Sequence, residues 1–386
     1  MKMFPKKALL ALGIASVLAA YGGTQTSNQN ESNSCDSLLA TAEQHGFRIG
    51  TGVNVSHWLS QSSLRGKERE ELITKKDFDS IAAMGFDHVR IPIDEEQMYD
   101  NDMRRNEDAF VLLNNAINWS IENKLRVIVD LHIVRSHHFN HENEKPNSLF
   151  EDRTAQERIF SIWADLQKDL KKYSTDSVAY EFLNEPTAPT CAQWNELVSE
   201  FIQNIRKEEP NRCLVIGSNR WNAPGTIDSL SIPQAEKNVI LSFHFYGPIL
   251  VTHYRAPWHP LTKFFTDKID YPGWIIKDTS CYEKYTEEQR QRLRGLNINA
   301  VADSLVPHFN HLKEFADSLG VQINCGEFGV YPYHIDEEAR LRWYRDMARL
   351  FREHKISNTH WCYKGDFPVV KEDGSANELP AILLNR

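Results

Sequence analysis

Hydrophobic positions along the chain fall into two rhythms. Short, nearly continuous apolar runs alternate with longer stretches where apolar residues recur every three to four positions. The short runs are 51–56, 88–92, 126–132, 178–184, 213–218, 239–245, 321–327 and 359–363. Such runs predict strands buried on both faces, as in a parallel sheet. The longer stretches predict helices over 75–84, 110–123, 155–173, 193–208, 299–319 and 337–354. Gly85 and Gly320 stop two of these, and Pro210 follows a third. After the fifth run only a short helix near 225–229 fits. Eight strands, nearly all followed by helices, predict an α/β fold: a single-domain (β/α)8 TIM barrel over 35–386. An open doubly wound sheet is the alternative, but no Gly-rich phosphate loop follows the first strand. Two connections exceed simple turns: the His-rich 133–153, and 247–297, which carries Trp258, Trp274 and Cys281.

The first residues read as a targeting segment. Lys2, Lys6 and Lys7 precede an apolar run over 8–20 that is too short to span a bilayer. Residues 1–21 are therefore expected to be a signal peptide. Leu18-Ala19-Ala20 suits a lipoprotein signal, but Tyr21 stands where the lipidated Cys is required. Residues 22–34, rich in Ser, Asn, Gln and Gly, read as a flexible linker. The expected location is outside the bacterial cytoplasm: periplasmic, cell-surface or secreted. A formal charge of -9 repels phosphate backbones and argues against nucleic acid as a partner. It suits a neutral ligand equally well. No cofactor and no stable protein partner is implied. The six Cys (35, 191, 213, 281, 325, 362) match neither a small cystine scaffold nor a CxxC zinc site. Cys213, Cys325 and Cys362 lie in apolar runs and read as buried thiols; a disulfide at Cys191 or Cys281 stays open.

Chemistry gathers at the strand ends. Arg90 closes the second run in His-Val-Arg-Ile-Pro, and His132 closes the third in Asp-Leu-His. Asn184 and Glu185 close the fourth in Leu-Asn-Glu-Pro; His244 and Tyr246 flank Phe245 at the end of the sixth. Glu327 closes the seventh in Gly-Glu-Phe-Gly, and Trp361 lies in the eighth. Each alone has an ordinary structural explanation. Together they crowd one barrel mouth, where unpaired burial costs several kcal/mol per group.

This ordered set resembles glycoside hydrolase family 5, the cellulase-like group of retaining β-glycosidases, over roughly 51–366. The resemblance implies Glu185 as acid/base and Glu327 as nucleophile. It gives supporting, substrate-binding roles to Arg90, His132, Asn184, His244, Tyr246 and Trp361. Asn54 and Trp58, in Asn-Val-Ser-His-Trp, fit the family's first strand less specifically. Trp221 and Trp258 are weaker candidates for sugar contacts. The implied partner is a β-linked oligo- or polysaccharide, with β-1,4-glucan or a related β-glucan foremost. Such chemistry needs one carboxylic acid to protonate the leaving oxygen and one carboxylate to attack the anomeric carbon, about 5–5.5 Å apart. Two rivals remain at this stage. A metal-dependent hydrolase would draw on His132, His137, His138 and His141, with Asp130 and Glu142 beside them. A silent glycan-binding protein would keep the groove without turnover.

Overall fold

A computed structural model of the protein describes residues 46–140 and 147–386. The signal and linker expectations, Cys35, His141 and Glu142 lie outside these residues. Eight parallel strands close a barrel: β1 (Thr51–Asn54), β2 (His88–Asp94), β3 (Arg126–Ile133), β4 (Val178–Glu181), β5 (Leu214–Gly217), β6 (Val239–Phe245), β9 (Gln322–Phe328) and β10 (Ser357–His360). A small antiparallel ribbon, β7 (Gly273–Trp274) with β8 (Asn299–Ala300), lies in the long connection after β6.

The helices form where the apolar period predicts them. In Lys75–Met84, Thr74 and Asp77 form a capping box and Gly85 ends the helix with φ 97°. Helix Glu337–Glu353 buries Leu341, Tyr344, Met347 and Phe351 along one stripe.

Alternation along the strands layers the barrel interior. Ile128, Ala179, Val215 and Ile240 pack with Phe47 and Ile49 into a separate apolar floor. Two residues further along their strands come Asp130, Glu181 and Ser242, all buried. The residues facing the helices, such as Val127, Val129 and Leu241, belong to the main core.

Three expectations need correction. The helix predicted over 299–319 begins only at Val306, because Asn299 and Ala300 pair with the ribbon and a 3-10 turn covers Ala302–Leu305. Pro307, fitted to a helix's first turn, marks the true start. The strand predicted over 178–184 ends at Glu181, so Asn184 and Glu185 stand on the connection that follows. Trp361 likewise lies just past β10. The long connection 247–297 holds its own helix, Glu287–Leu296, capped by Thr286 and Gln289. It escaped the apolar pattern because Leu293 is its one buried residue. All five described cysteines are free thiols.

Candidate active site

Two β-bulges at the barrel rim aim the key side chains. The β2–β3 register steps from Ile93↔Leu131 to Asp94↔Ile133, leaving His132 as the extra residue. The β6–β9 register steps from Phe243↔Cys325 to His244↔Glu327, leaving Gly326 as the extra residue. Glu327 is thereby set directly beside His244. A Cβ on Gly326 would lie 2.7 Å from Ser242 Oγ and 3.1 Å from His244 Nε2, so the approach depends on glycine.

Arg90 anchors the floor of the site. It is fully buried and spends all its donors on protein. Nε and Nη2 donate to the two Glu181 oxygens (2.6 and 3.0 Å), and Nη1 donates to Asn54 Oδ1 and Glu327 Oε1 (both 2.9 Å). Nη2 also donates to Asn184 Oδ1 (2.8 Å) and lies 3.0 Å from Asp130 Oδ2. Burial alone would lower its pKa, but the Asp130, Glu181 and Glu327 carboxylates hold it well above the usual arginine value.

The two glutamates have different surroundings. Glu327 Oε1 accepts from Arg90, and Oε2 accepts from Tyr246 OH at 3.0 Å. Glu185, at φ 43°, pairs with a histidine: His244 Nδ1 lies 2.8 Å from its Oε1. Asn222 Nδ2 faces His244 Nε2 at 3.3 Å; with the amide in that orientation the ring proton is on Nδ1, as donor to Glu185. Burial lowers His244 to about 4, so the ring is neutral. Burial raises Glu185 to about 8, with Arg90 the opposing influence. Burial raises Glu327 too, but the Arg90 guanidinium opposes the rise. With a guanidinium and a phenol donating to Glu327, the proton of the pair sits on Glu185.

Around this pair, His132 Nδ1 bonds Asp130 Oδ2 (2.7 Å), and burial keeps its imidazole well below the usual range. The His132 ring stacks on Trp361 at 5.5 Å and 13°. Asn184 Nδ2 is buried with no hydrogen-bond partner among the described residues.

Nine of the ten expected residues therefore meet at, beside or directly beneath the mouth. Asn54 and Arg90 lie beneath it as braces; Asn54 Nδ2 is committed to the carbonyls of Gly326, Thr359 and His360. His132, Asn184, Glu185, His244, Tyr246 and Glu327 form the cluster itself, flanked by Trp361. Trp58 is the correction. It is 0% exposed in the main core, with its indole N–H on the Arg69 carbonyl, and offers no face to a ligand. Trp258 packs with Tyr331 and Phe367 in the aromatic cluster behind Trp361. Trp221 is 41% exposed; its backbone N–H donates to the Pro186 carbonyl, beside Glu185.

Sequence reasoning missed Glu181 and Asn222. Glu181 had a signal, since alternation from Ala179 turns it inward. Asn222 had none: Arg220, Trp221 and Asn222 all adopt left-handed backbone, and Arg and Trp do not announce such a run.

Among the described residues, Glu185, His244 and Glu327 are the group whose ligand-type atoms all lie within 4.8 Å of one another. A cation there would have to displace the His244 Nδ1 proton and compete with Arg90 for Glu327. Among the described residues the histidines of the rival metal reading do not form such a group; His137 Nε2 lies 3.2 Å from the Glu185 carbonyl oxygen.

Comparison with known proteins adds independent findings. The family described as Cellulase (glycosyl hydrolase family 5) matches residues 40–366. Endoglucanase C of Acetivibrio thermocellus is 31% identical over 344 residues, covering 87% of this chain and 98% of its own. Cellodextrinase A of Ruminococcus flavefaciens is 28% identical over 307 residues, covering 79% and 83%. A solved complex of Thermotoga maritima Cel5A with mannotriose aligns at TM-score 0.69 and 25% identity, covering 87% of this chain and 97% of that one.

Proposed function

The chain belongs to glycosyl hydrolase family 5, the cellulase family, and we propose that it cleaves β-1,4-glucan or a related β-glucan by double displacement. In the first step a Glu327 oxygen attacks the anomeric carbon as the bond to the leaving oxygen breaks. Glu185 gives that oxygen its proton. In the second step Glu185 takes a proton from water, the water oxygen attacks the same carbon, and the bond to Glu327 breaks.

One observation carries this reading: carboxylate oxygens of Glu185 and Glu327 lie within 4.8 Å of each other. Retaining enzymes hold the pair about 5–5.5 Å apart, whereas inverting enzymes leave about 6.5–9.5 Å for a water. The unpartnered Asn184 Nδ2 supports a role in holding the sugar hydroxyl beside the reacting carbon. Trp221, next to Pro186, suits the leaving-group side. The names of the relatives, an endoglucanase and a cellodextrinase, support a glucan substrate.

The test is a panel of soluble β-glucans, mannan and xyloglucan, with product lengths followed by chromatography and the first-formed anomer by NMR. Cleavage of β-glucan with initial release of the β-anomer is expected. An initial α-anomer, or no β-glucan cleavage, overturns the reading. The basic start and apolar run over 8–20 support export of the same chain. N-terminal sequencing of the mature protein should then begin beyond residue 21.

A further inference from the structure

His57 is a residue the proposed chemistry does not use, yet its surroundings are elaborate. It follows β1 in left-handed backbone, at φ 56°. Its Nδ1 lies 2.9 Å from Ser56 Oγ, and its Nε2 lies 3.2 Å from Asp366 Oδ2. The ring meets Trp361 edge-on, with centroids 5.9 Å apart at 65°. Gly365, at φ 107°, clears its path: a Cβ there would come within 2.7 Å of His57 Nδ1. The arrangement ties the connection after β1 to the one after β10, across the closing seam of the barrel.

Stability does not account for this construction. The side chains of His57 and Asp366 are 27% and 41% exposed. Ion pairs so exposed contribute little to folding. A non-glycine residue in left-handed backbone is a cost, and such costs gather where geometry serves function. What His57 touches is the indole. Trp361 has His132 stacked on it at 5.5 Å and His57 against it at 65°, so two imidazoles fix its plane.

We propose that His57, held by Asp366, is a positioning residue for the reaction: it fixes the edge of Trp361 so that the indole presents a set plane to the sugar. The proposal rests on the substrate-binding role that the family resemblance gives Trp361. The charge state agrees with the geometry. Burial would lower the His57 imidazole, but Asp366 and the neighbouring Cys362 raise it to about 10. Both ring nitrogens therefore donate, one to Ser56 and one to Asp366, and the ring cannot flip without losing both bonds. The same charge helps to keep His132 neutral on the far side of the indole.

The experiment is a double-mutant cycle with His57→Ala and Asp366→Ala, read as kcat/KM on an aryl β-cellobioside and as thermal midpoint. Each single variant should lose about tenfold in kcat/KM, and the double variant no more than the worse single, because the two act as one unit. Midpoints should shift by only about 2 °C, as for an exposed pair. Asp366→Glu should recover most of the activity. Variants within twofold of wild type, or losses that multiply in the double variant, overturn the proposal. So do losses that merely follow the midpoints. If the wild type cleaves no β-glucan or β-cellobioside, the functional reading fails separately. The positioning claim is then judged by near-ultraviolet circular dichroism. The Trp361 contribution, taken as wild type minus Trp361→Phe, should collapse in His57→Ala; its persistence there refutes the claim.

Discussion

Glu185 and Glu327 differ less in burial than in what donates to them. Arg90 and Tyr246 hold Glu327 ionised, whereas Glu185 has a neutral imidazole and, among the described residues, no cation in contact. Two predictions follow at the scale of the residue. Glu185 binds its proton up to about 8 when folded, against 4.5 in the unfolded chain. Between those values the folded state holds a proton that the unfolded chain releases, so stability declines as pH rises through the window. Glu185→Gln should flatten that decline between pH 4.5 and 8 in thermal melts; an identical slope would show that Glu185 titrates normally. Glu185→Ala should lose most activity on natural β-glucans and spare the first step on activated aryl glycosides. Azide should then enter the vacated space and yield a β-glycosyl azide. Near-wild-type hydrolysis of a natural polysaccharide by Glu185→Ala would remove Glu185 from the acid/base role.

The strands and bulges decide where those residues point. Gly326, the extra residue between the paired positions of Phe243 and His244, lets Glu327 stand beside His244. Gly326→Ala would push a methyl group onto Ser242 Oγ and His244 Nε2. We expect a loss of about 1–3 kcal/mol in stability from overpacking. Activity should fall by about a hundredfold, because misplacing a catalytic group by about 1 Å has that effect. Unaltered kinetics in Gly326→Ala would mean that the bulge does not set the site. The existence and order of the barrel strands were legible in the apolar runs, but their ends were not. Residues 182–184 remain apolar or amide-bearing after the ladder stops at Glu181, so composition does not mark the exit. The two-residue strands Gly273–Trp274 and Asn299–Ala300 are too short to carry any period. Trp58 was misplaced because a tryptophan after the first strand looks the same in sequence whether it faces sugar or core. Its hydrogen bond to Arg69 decides the matter.

At the scale of the molecule, the barrel is a graded medium. An apolar floor of Ile128, Ala179, Val215 and Ile240 lies below a buried layer of Arg90, Asp130 and Glu181, and the glutamate pair lies above. Strand-end chemistry was visible in the sequence because parallel closure brings all those ends to one face. The supporting layer was less visible, since Asp130 lies within β3 and Glu181 ends β4, each among apolar neighbours. The chemistry runs on protein groups alone in this account, so exhaustive chelation should leave turnover unchanged. Full loss, restored by a divalent cation, would favour the metal group at Glu185, His244 and Glu327. The central claim is that Glu327 forms a covalent bond to sugar, and the most direct measurement traps it. The whole protein is incubated with a 2-deoxy-2-fluoro β-cellobioside carrying a good leaving group, weighed intact, digested and mapped by mass spectrometry. The account predicts one added fluorocellobiosyl unit, borne on Glu327. A label on any other residue would contradict it.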